Sequence, residues 1–205
     1  MRLAIFASGG GSNMLAIAKS INKGKLPDVS IGLVVCDKPS APVLKHCRKM
    51  GLKTFVFEKK DYSDSKDYET RILQELEKHC IDLVVLAGFM RIIGPTLLKD
   101  WEGKMINLHP SLLPNFAGED GIGQAFRAGV QETGVTVHFV DAGIDTGPVI
   151  AQKRVSIESG ESLESLEAKI HLLEHELLPQ TIGMISRKGI SSVHKESVSS
   201  KIKKR

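Results

Sequence analysis

The chain has 205 residues and a formal net charge of +4, with 41% hydrophobic and 25% charged residues. That composition suits an ordinary globular protein with one sizeable core, and no apolar run approaches the ~20 residues that would span a bilayer. Cys36, Cys47 and Cys80 are widely spaced and form no CxxC pair, which argues against a disulfide framework or a cysteine-built zinc site and fits a reducing, cytoplasmic setting.

Apolar runs alternate with helical patterns from the start. Residues 1–6 are too soon interrupted by glycines for a signal peptide, and Leu3–Phe6 reads as a first buried strand. Asn13–Ile21 has helical spacing, with Leu15, Ala18 and Ile21 at every third position. Val29–Cys36 is a β-branched strand, and Ala41–Met50 a helix stopped by Gly51. Lys53–Phe57 reads as a strand, Tyr68–His79 as a helix, and Leu83–Ala87 as an all-apolar strand buried on both faces. Trp101 falls in a connection and reads as packing, and Lys104–Leu108 is the next strand. This βαβα rhythm predicts a single α/β domain: a mostly parallel twisted sheet with helices on both faces and a Rossmann-type N-terminal half.

After residue 120 the rhythm changes. Ile122–Gly129 reads as a helix, and Gly134–Val140 and Gly147–Ser156 as strands that either pair antiparallel or flank different neighbours. Ser162–Ser186 is mostly helical, and Pro179 should kink or end its first part. From Arg187 onward basic residues dominate, with Glu196 the one acid. Residues 1–187 are therefore expected to form the domain and 188–205 a Ser-rich, disordered tail. No aromatic residues interleave with its basic ones, so a solvated terminus fits better than nucleic-acid binding.

Two loops carry chemistry. Ser8-Gly9-Gly10-Gly11-Ser12-Asn13 joins the first strand to the first helix. Glycines admit a ligand close to the backbone, and a helix N-terminus attracts anions, so a phosphate is the natural guest. A P-loop is excluded because no Gly-Lys-Ser/Thr closes the run. A dinucleotide site is weakened by Met14 where a third glycine is wanted, although Asp37 follows the second strand. A tight turn with Ser12 or Asn13 as N-cap also fits. Asn107-Leu108-His109-Pro110-Ser111-Leu112-Leu113-Pro114 is the second. Asn107 and His109 are two apart at a strand end, so they project from one side, and two prolines stop regular continuation. An active site or a strand-exit turn with incidental polar residues would produce this pattern. Downstream, Gly134–Pro148 leads a strand into a Gly- and Asp-rich loop. Asp145 there could reach an imidazole, or Asp141 and Asp145 could be turn residues. His138 could orient that carboxylate or be a satisfied core histidine.

The glycine loop, Ala87-Gly88-Phe89-Met90-Arg91, the Asn107–Pro114 run and the Gly134–Pro148 run occur in this order. Together they resemble the phosphoribosylglycinamide formyltransferases, a folate-dependent family of purine synthesis, over residues 1 to about 186. The resemblance implies transfer of a formyl group from 10-formyltetrahydrofolate to the amine of glycinamide ribonucleotide. It implies a catalytic group of Asn107, His109 and Asp145, a phosphate site at Gly11, Ser12 and Asn13, and ribose binding by Glu174. Met90, Arg91, Ile92 and Ile93 would border the folate, with Asn107 beside it and the Val140–Asp145 loop, including Asp141, closing over its pterin. Lys66 lies near a basic family position that contacts the folate. The resemblance implies no metal, no nucleic acid and no membrane, and a monomer or weak homodimer. Gly10 departs from the usual family residue but keeps the backbone donors, so phosphate binding should survive; Ala117 stands where the family usually has proline and, with Gly121 and Gly123, suggests a more mobile loop through Gly123.

Rival readings are weaker. His171-Leu172-Leu173-Glu174-His175 matches the HxxEH zinc-protease motif but leaves both loops unexplained. A methionyl-tRNA formyltransferase would carry an added C-terminal RNA-binding domain, and a formyltetrahydrofolate hydrolase an added N-terminal domain. A non-catalytic nucleotide-binding module would leave Asn107, His109 and Asp145 without a task.

Overall fold

The computed structural model describes residues 1–203. Its contacts gather into two compact units, one of residues 1–106 and one from Asn107 onward.

The first unit alternates strand and helix: β1 (Arg2–Phe6), α1 (Ser12–Asn22), β2 (Ser30–Cys36), α2 (Val43–Lys49), β3 (Thr54–Val56), α3 (Ser65–Lys78), β4 (Leu83–Leu86) and α4 (Pro95–Trp101). The fifth strand, β5 (Met105–His109), begins at its end. The strand order is β3-β2-β1-β4-β5, and β1–β2, β1–β4 and β2–β3 all pair parallel. Leu3, Ile5, Phe6, Leu83, Val84 and Val85 are fully buried, as expected for central strands covered on both sides. β1 and β4 are neighbours although two βα units separate them in sequence. This is the switch point of a doubly wound sheet, where the loops leaving the carboxyl ends of adjacent strands diverge and leave a crevice. The glycine loop leaves β1 there, and Ala87–Gly94 leaves β4.

Helix α4 was not legible in the sequence, and Trp101 is its last residue, not part of an irregular connection. Its start carries no capping side chain of its own. The buried carboxylate of Glu69, on α3, accepts hydrogen bonds from Gly94 N (2.6 Å) and Leu97 N (3.0 Å). A cap borrowed from 25 residues earlier satisfies the unpaired N–H groups of the helix start.

The second unit continues β5 and adds α5 (Gly121–Arg127), β6 (Glu132–Phe139), β7 (Val149–Ser156), α6 (Leu163–Lys188) and α7 (Ile190–Lys203). β6 lies between β5 and β7 and pairs antiparallel with β7, which resolves the alternative left by the sequence. Gly147 shapes the turn between them. A Cβ there would overlap the carbonyl oxygen of Phe139, which is main chain and cannot yield. Gly147→Ala should therefore destabilise the fold by ~3 kcal/mol, the upper range for overpacking. A shifted urea midpoint would measure the effect, and an unchanged midpoint would contradict it.

Two expectations are corrected here. α6 runs unbroken through Pro179. One lost backbone hydrogen bond is outweighed by a buried stripe that includes Leu166, Ile170, Leu177, Leu178, Ile182 and Ile185. The expected disordered tail is helix α7. Val193 and Ser197 are buried, Ile190, His194, Val198 and Lys201 are half-buried beside them, and the His194 ring meets Phe139 edge-on at 4.7 Å. The basic and serine-rich composition describes its outer face. Packing against β7 and α6 supplies what intrinsic propensity does not.

Candidate active site

In the first unit, Gly11 is the N-cap of α1, in the left-handed region at φ 78°. The alternative of Ser12 or Asn13 as N-cap does not hold. Only glycine takes this turn without strain, and a Cβ would also press into Val43 of α2, 2.8 Å from its Cβ. Leu15 N donates to Gly11 O as the first bond of the helix. Ser12, Asn13 and Met14 form the first turn that follows, and the N–H groups of a helix start suit a phosphate. A Cβ on Gly10 would meet nothing within 4 Å, so the departure at this position is sterically harmless.

The segment after β4 is tied to this loop. Ser8 N donates to Gly88 O (3.0 Å), and Met90 N donates to Ser8 Oγ (2.9 Å). Met90 and Ile92 are 67% and 72% exposed, an apolar rim that an aromatic ligand could cover. Arg91 turns inward. Its Nε lies 2.8 Å from Asp37 Oδ2, and its guanidinium carbon lies 5.8 Å from the Phe57 ring centre. Asp37 is thus committed to an arginine and is not placed to read a ribose, which removes the main support for a dinucleotide site. Ile93 is half-buried beside this segment, and Lys66 is exposed in the first turn of α3.

In the second unit, β5 delivers Asn107 and His109 to one carboxylate. Asn107 Nδ2 donates to Asp145 Oδ1 at 3.0 Å, and His109 Nδ1 lies 3.2 Å from Asp145 Oδ2. The main-chain N–H of Gly118 also donates to Oδ2, at 2.9 Å. His138 Nε2 lies 3.4 Å from Oδ1 and 3.2 Å from the Asn107 amide. Its Nδ1 faces the Phe139 carbonyl at 2.8 Å. His138 is therefore both a satisfied buried histidine and a neighbour of the carboxylate. Asp145 itself sits at φ 53°, a left-handed conformation that aspartate tolerates better than most residues.

His109 Nε2 faces the carbonyl oxygen of Phe116 at 2.8 Å. Both ring nitrogens thus face acceptors, a carboxylate and a carbonyl. A neutral imidazole has one N–H; only the imidazolium donates to both at once. The glycines that suggested a mobile loop have close-packing roles here. A Cβ on Gly121 would lie 3.1 Å from His109 Nε2, and one on Gly123 would overlap the Asp120 carboxylate, which caps α5 through Gly123 N.

Burial opposes ionisation of Asp145. It is outweighed by hydrogen bonding from His138 and Gly118 N–H and by the charges of His109 and His138, which lower its pKa from 3.8 to about 2. A folded-state pKa below the unfolded one stabilises above the unfolded value and loses that stabilisation as pH falls through the folded one. The carboxylate should thus contribute about 2 kcal/mol above pH ~4, fading towards pH ~2. Unfolding free energies of the parent chain and Asp145→Asn, measured across this window, should converge as pH falls. A constant gap would contradict the assignment.

The remaining expected residues lie elsewhere in this unit. Glu174 is buried on α6, with Oε2 3.0 Å from His171 Nδ1; that hydrogen bond raises the His171 pKa. Asp141 makes its hydrogen bonds within its own loop. Its Oδ1 accepts from Gly143 N (3.1 Å) and Thr146 Oγ1 (2.6 Å). Val140 is half-buried. Among the described residues no group of three or more His, Cys, Asp or Glu side chains is arranged to hold a metal ion. Sequence reasoning missed the main-chain partners at Phe116 and Gly118, which carry no side-chain signal.

The family model for formyl transferases matches residues 1–182. The phosphoribosylglycinamide formyltransferase of Bacillus subtilis is 48% identical over 88% of this chain and 92% of its own length. The crystal structure of glycinamide ribonucleotide transformylase 1 from Geobacillus kaustophilus is 54% identical, with a TM-score of 0.88 over 90% of this chain and 97% of that one. That of phosphoribosylglycinamide formyltransferase from Bacillus halodurans is 47% identical, with a TM-score of 0.87 over 90% and 95%. The chain belongs to the formyl transferase family.

Proposed function

We infer that this chain transfers a formyl group from 10-formyltetrahydrofolate to the amine of glycinamide ribonucleotide in purine biosynthesis. The observation that carries the chemistry is the convergence of Asn107 and His109 on Asp145 in a chain of this family. Residues 1–187 are taken as the catalytic domain.

Attack of the amine on the formyl carbon builds negative charge on the formyl oxygen. Preorganised donors aimed at that oxygen lower the barrier. The imidazolium of His109 is the strongest such donor, because its hydrogen bond is charge-assisted. Asp145 holds the ring through Nδ1, leaving Nε2 as the donor to the oxygen. The Phe116 carbonyl now on Nε2 stands where that oxygen would be, so substrate binding must draw the carbonyl aside. Asn107 would add a neutral donor once an amide hydrogen is released from His138. Asp145 would steer a proton from the attacking amine towards the departing nitrogen. Gly11, Ser12 and Asn13 would hold the phosphate, and Glu174 the ribose hydroxyls. Met90, Arg91, Ile92 and Ile93 would border the folate, with Lys66, Val140 and Asp141 as further contacts. These side chains handle the protons themselves, so the reading needs no metal.

No helix among the described residues is long and apolar enough to cross a membrane. We place the reaction in the cytoplasm, which suits the free thiols of Cys36, Cys47 and Cys80, with a monomer or weak homodimer as the acting species.

Incubation of the purified chain with glycinamide ribonucleotide and 10-formyltetrahydrofolate should give formylglycinamide ribonucleotide. Formate release independent of the ribonucleotide would indicate a hydrolase, and ribonucleotide binding without product a non-catalytic module.

A further inference from the structure

We propose that α7 straps down the loop carrying Asp145, with Lys201 as its latch and a positioning residue for formyl transfer. Helix α7 lies beyond the 1–182 span of the family match. Lys201 Nζ donates to the carbonyl oxygen of Thr146, the residue that follows Asp145, at 2.6 Å. The same Nζ lies 3.6 Å from Asp141 Oδ2, at the other end of the loop. Asp141 Oδ1 in turn accepts from Thr146 Oγ1 and Gly143 N. One ammonium thus links both ends of a loop already cross-tied by an aspartate.

The loop needs such a tie. Ala142, Gly143 and Ile144 are exposed, so little packing holds it from outside. Asp145 occupies a left-handed backbone conformation at φ 53°, which its surroundings must hold in place. Its two carboxylate oxygens must meet Asn107, Gly118 and His109 together. The latch is itself anchored: Val193 and Ser197 are buried, His194 rests on Phe139 next to the loop, and Lys188 pairs with Glu196 at 2.9 Å. Lys201 is half-exposed and at the loop's edge, so its part is to hold geometry and not to touch the reacting atoms.

This inference rests on the formyl-transfer reading, and its test separates the two. Lys201→Met keeps the aliphatic stem and removes the donor; Lys201→Arg restores a cationic donor. Lys188→Met loosens α7 at a point remote from the loop. In the full-length chain, hydrogen exchange at residues 141–147 should speed up in Lys201→Met and return towards the parent rate in Lys201→Arg. In the transfer assay Lys201→Met should lower kcat by roughly 10-fold, within the ~100-fold that a misplacement of about 1 Å can cost. Its KM for glycinamide ribonucleotide should stay within about twofold, because uniform binding is untouched. Unchanged exchange in Lys201→Met overturns the latch whether or not the chain turns over. Equal effects of Lys188→Met and Lys201→Met on exchange and kcat also overturn it, because they would mean general loosening of the helix. Loss of transfer in the parent chain, with the exchange pattern as expected, would instead count against the formyl-transfer reading.

Discussion

His109→Ala is expected to lower kcat for formyl transfer by about 10²- to 10³-fold, with KM for glycinamide ribonucleotide changed less than about threefold. The magnitude is that of losing one donor to a developing oxyanion, roughly 3–4 kcal/mol. KM should hold because the proposed phosphate anchor is the Gly11–Asn13 backbone, which the substitution leaves alone. The fold should survive. Gly118 N and Asn107 Nδ2 still donate to Asp145, and one lost hydrogen bond costs about 1–2 kcal/mol. Steady-state kinetics beside a thermal melt separates the two effects. Turnover within about tenfold of the parent would remove His109 from the chemistry.

The second large effect is expected from Asp145→Asn. Asparagine keeps the size of the side chain and tolerates φ 53°, so the backbone is spared. Hydrogen bonding is not. Both oxygens of Asp145 accept from N–H groups, Oδ1 from Asn107 and Oδ2 from Gly118. Whichever way an asparagine amide is turned, its NH2 faces a donor. The negative charge facing His109 Nδ1 also disappears, and with it the proposed acceptor for the amine proton. We expect kcat to fall about 10²-fold or more and stability to fall by about 2 kcal/mol near neutral pH. Asp145→Ala should lower kcat comparably, with added strain because alanine resists a positive φ. A variant that melts lower but turns over normally would make Asp145 structural only.

The distribution of what could and could not be read follows from range. Strand β4, Leu83–Leu86, is a continuous apolar run, and burial on both faces requires such a run. Asn107 and His109 share a side because strand geometry has period two. Neither inference needs a partner from elsewhere in the chain. Helix α4 failed this criterion: its seven residues carry no cap, and the cap comes from Glu69. The tail failed for the opposite reason. Its composition reads as disordered, yet a stripe through Ile190, Val193, Ser197 and Lys201 finds a surface to cover, and Lys201 finds a carbonyl to bind.

The sequence alone therefore determined the βα alternation, the glycine loop after the first strand, the amide–imidazole pair and, through the resemblance, the formyl transferase family. Those features rest on local periodicity, turn stereochemistry and spacing, which the chain carries residue by residue. Only the tertiary structure decided that Asp37 serves Arg91, that Asp145 receives Asn107, His109 and Gly118 together, and that Phe116 offers its carbonyl to the His109 ring. Each of these depends on groups far apart in sequence, or on main-chain atoms common to every residue, and their hydrogen bonds exist only once the fold has set their distance and direction.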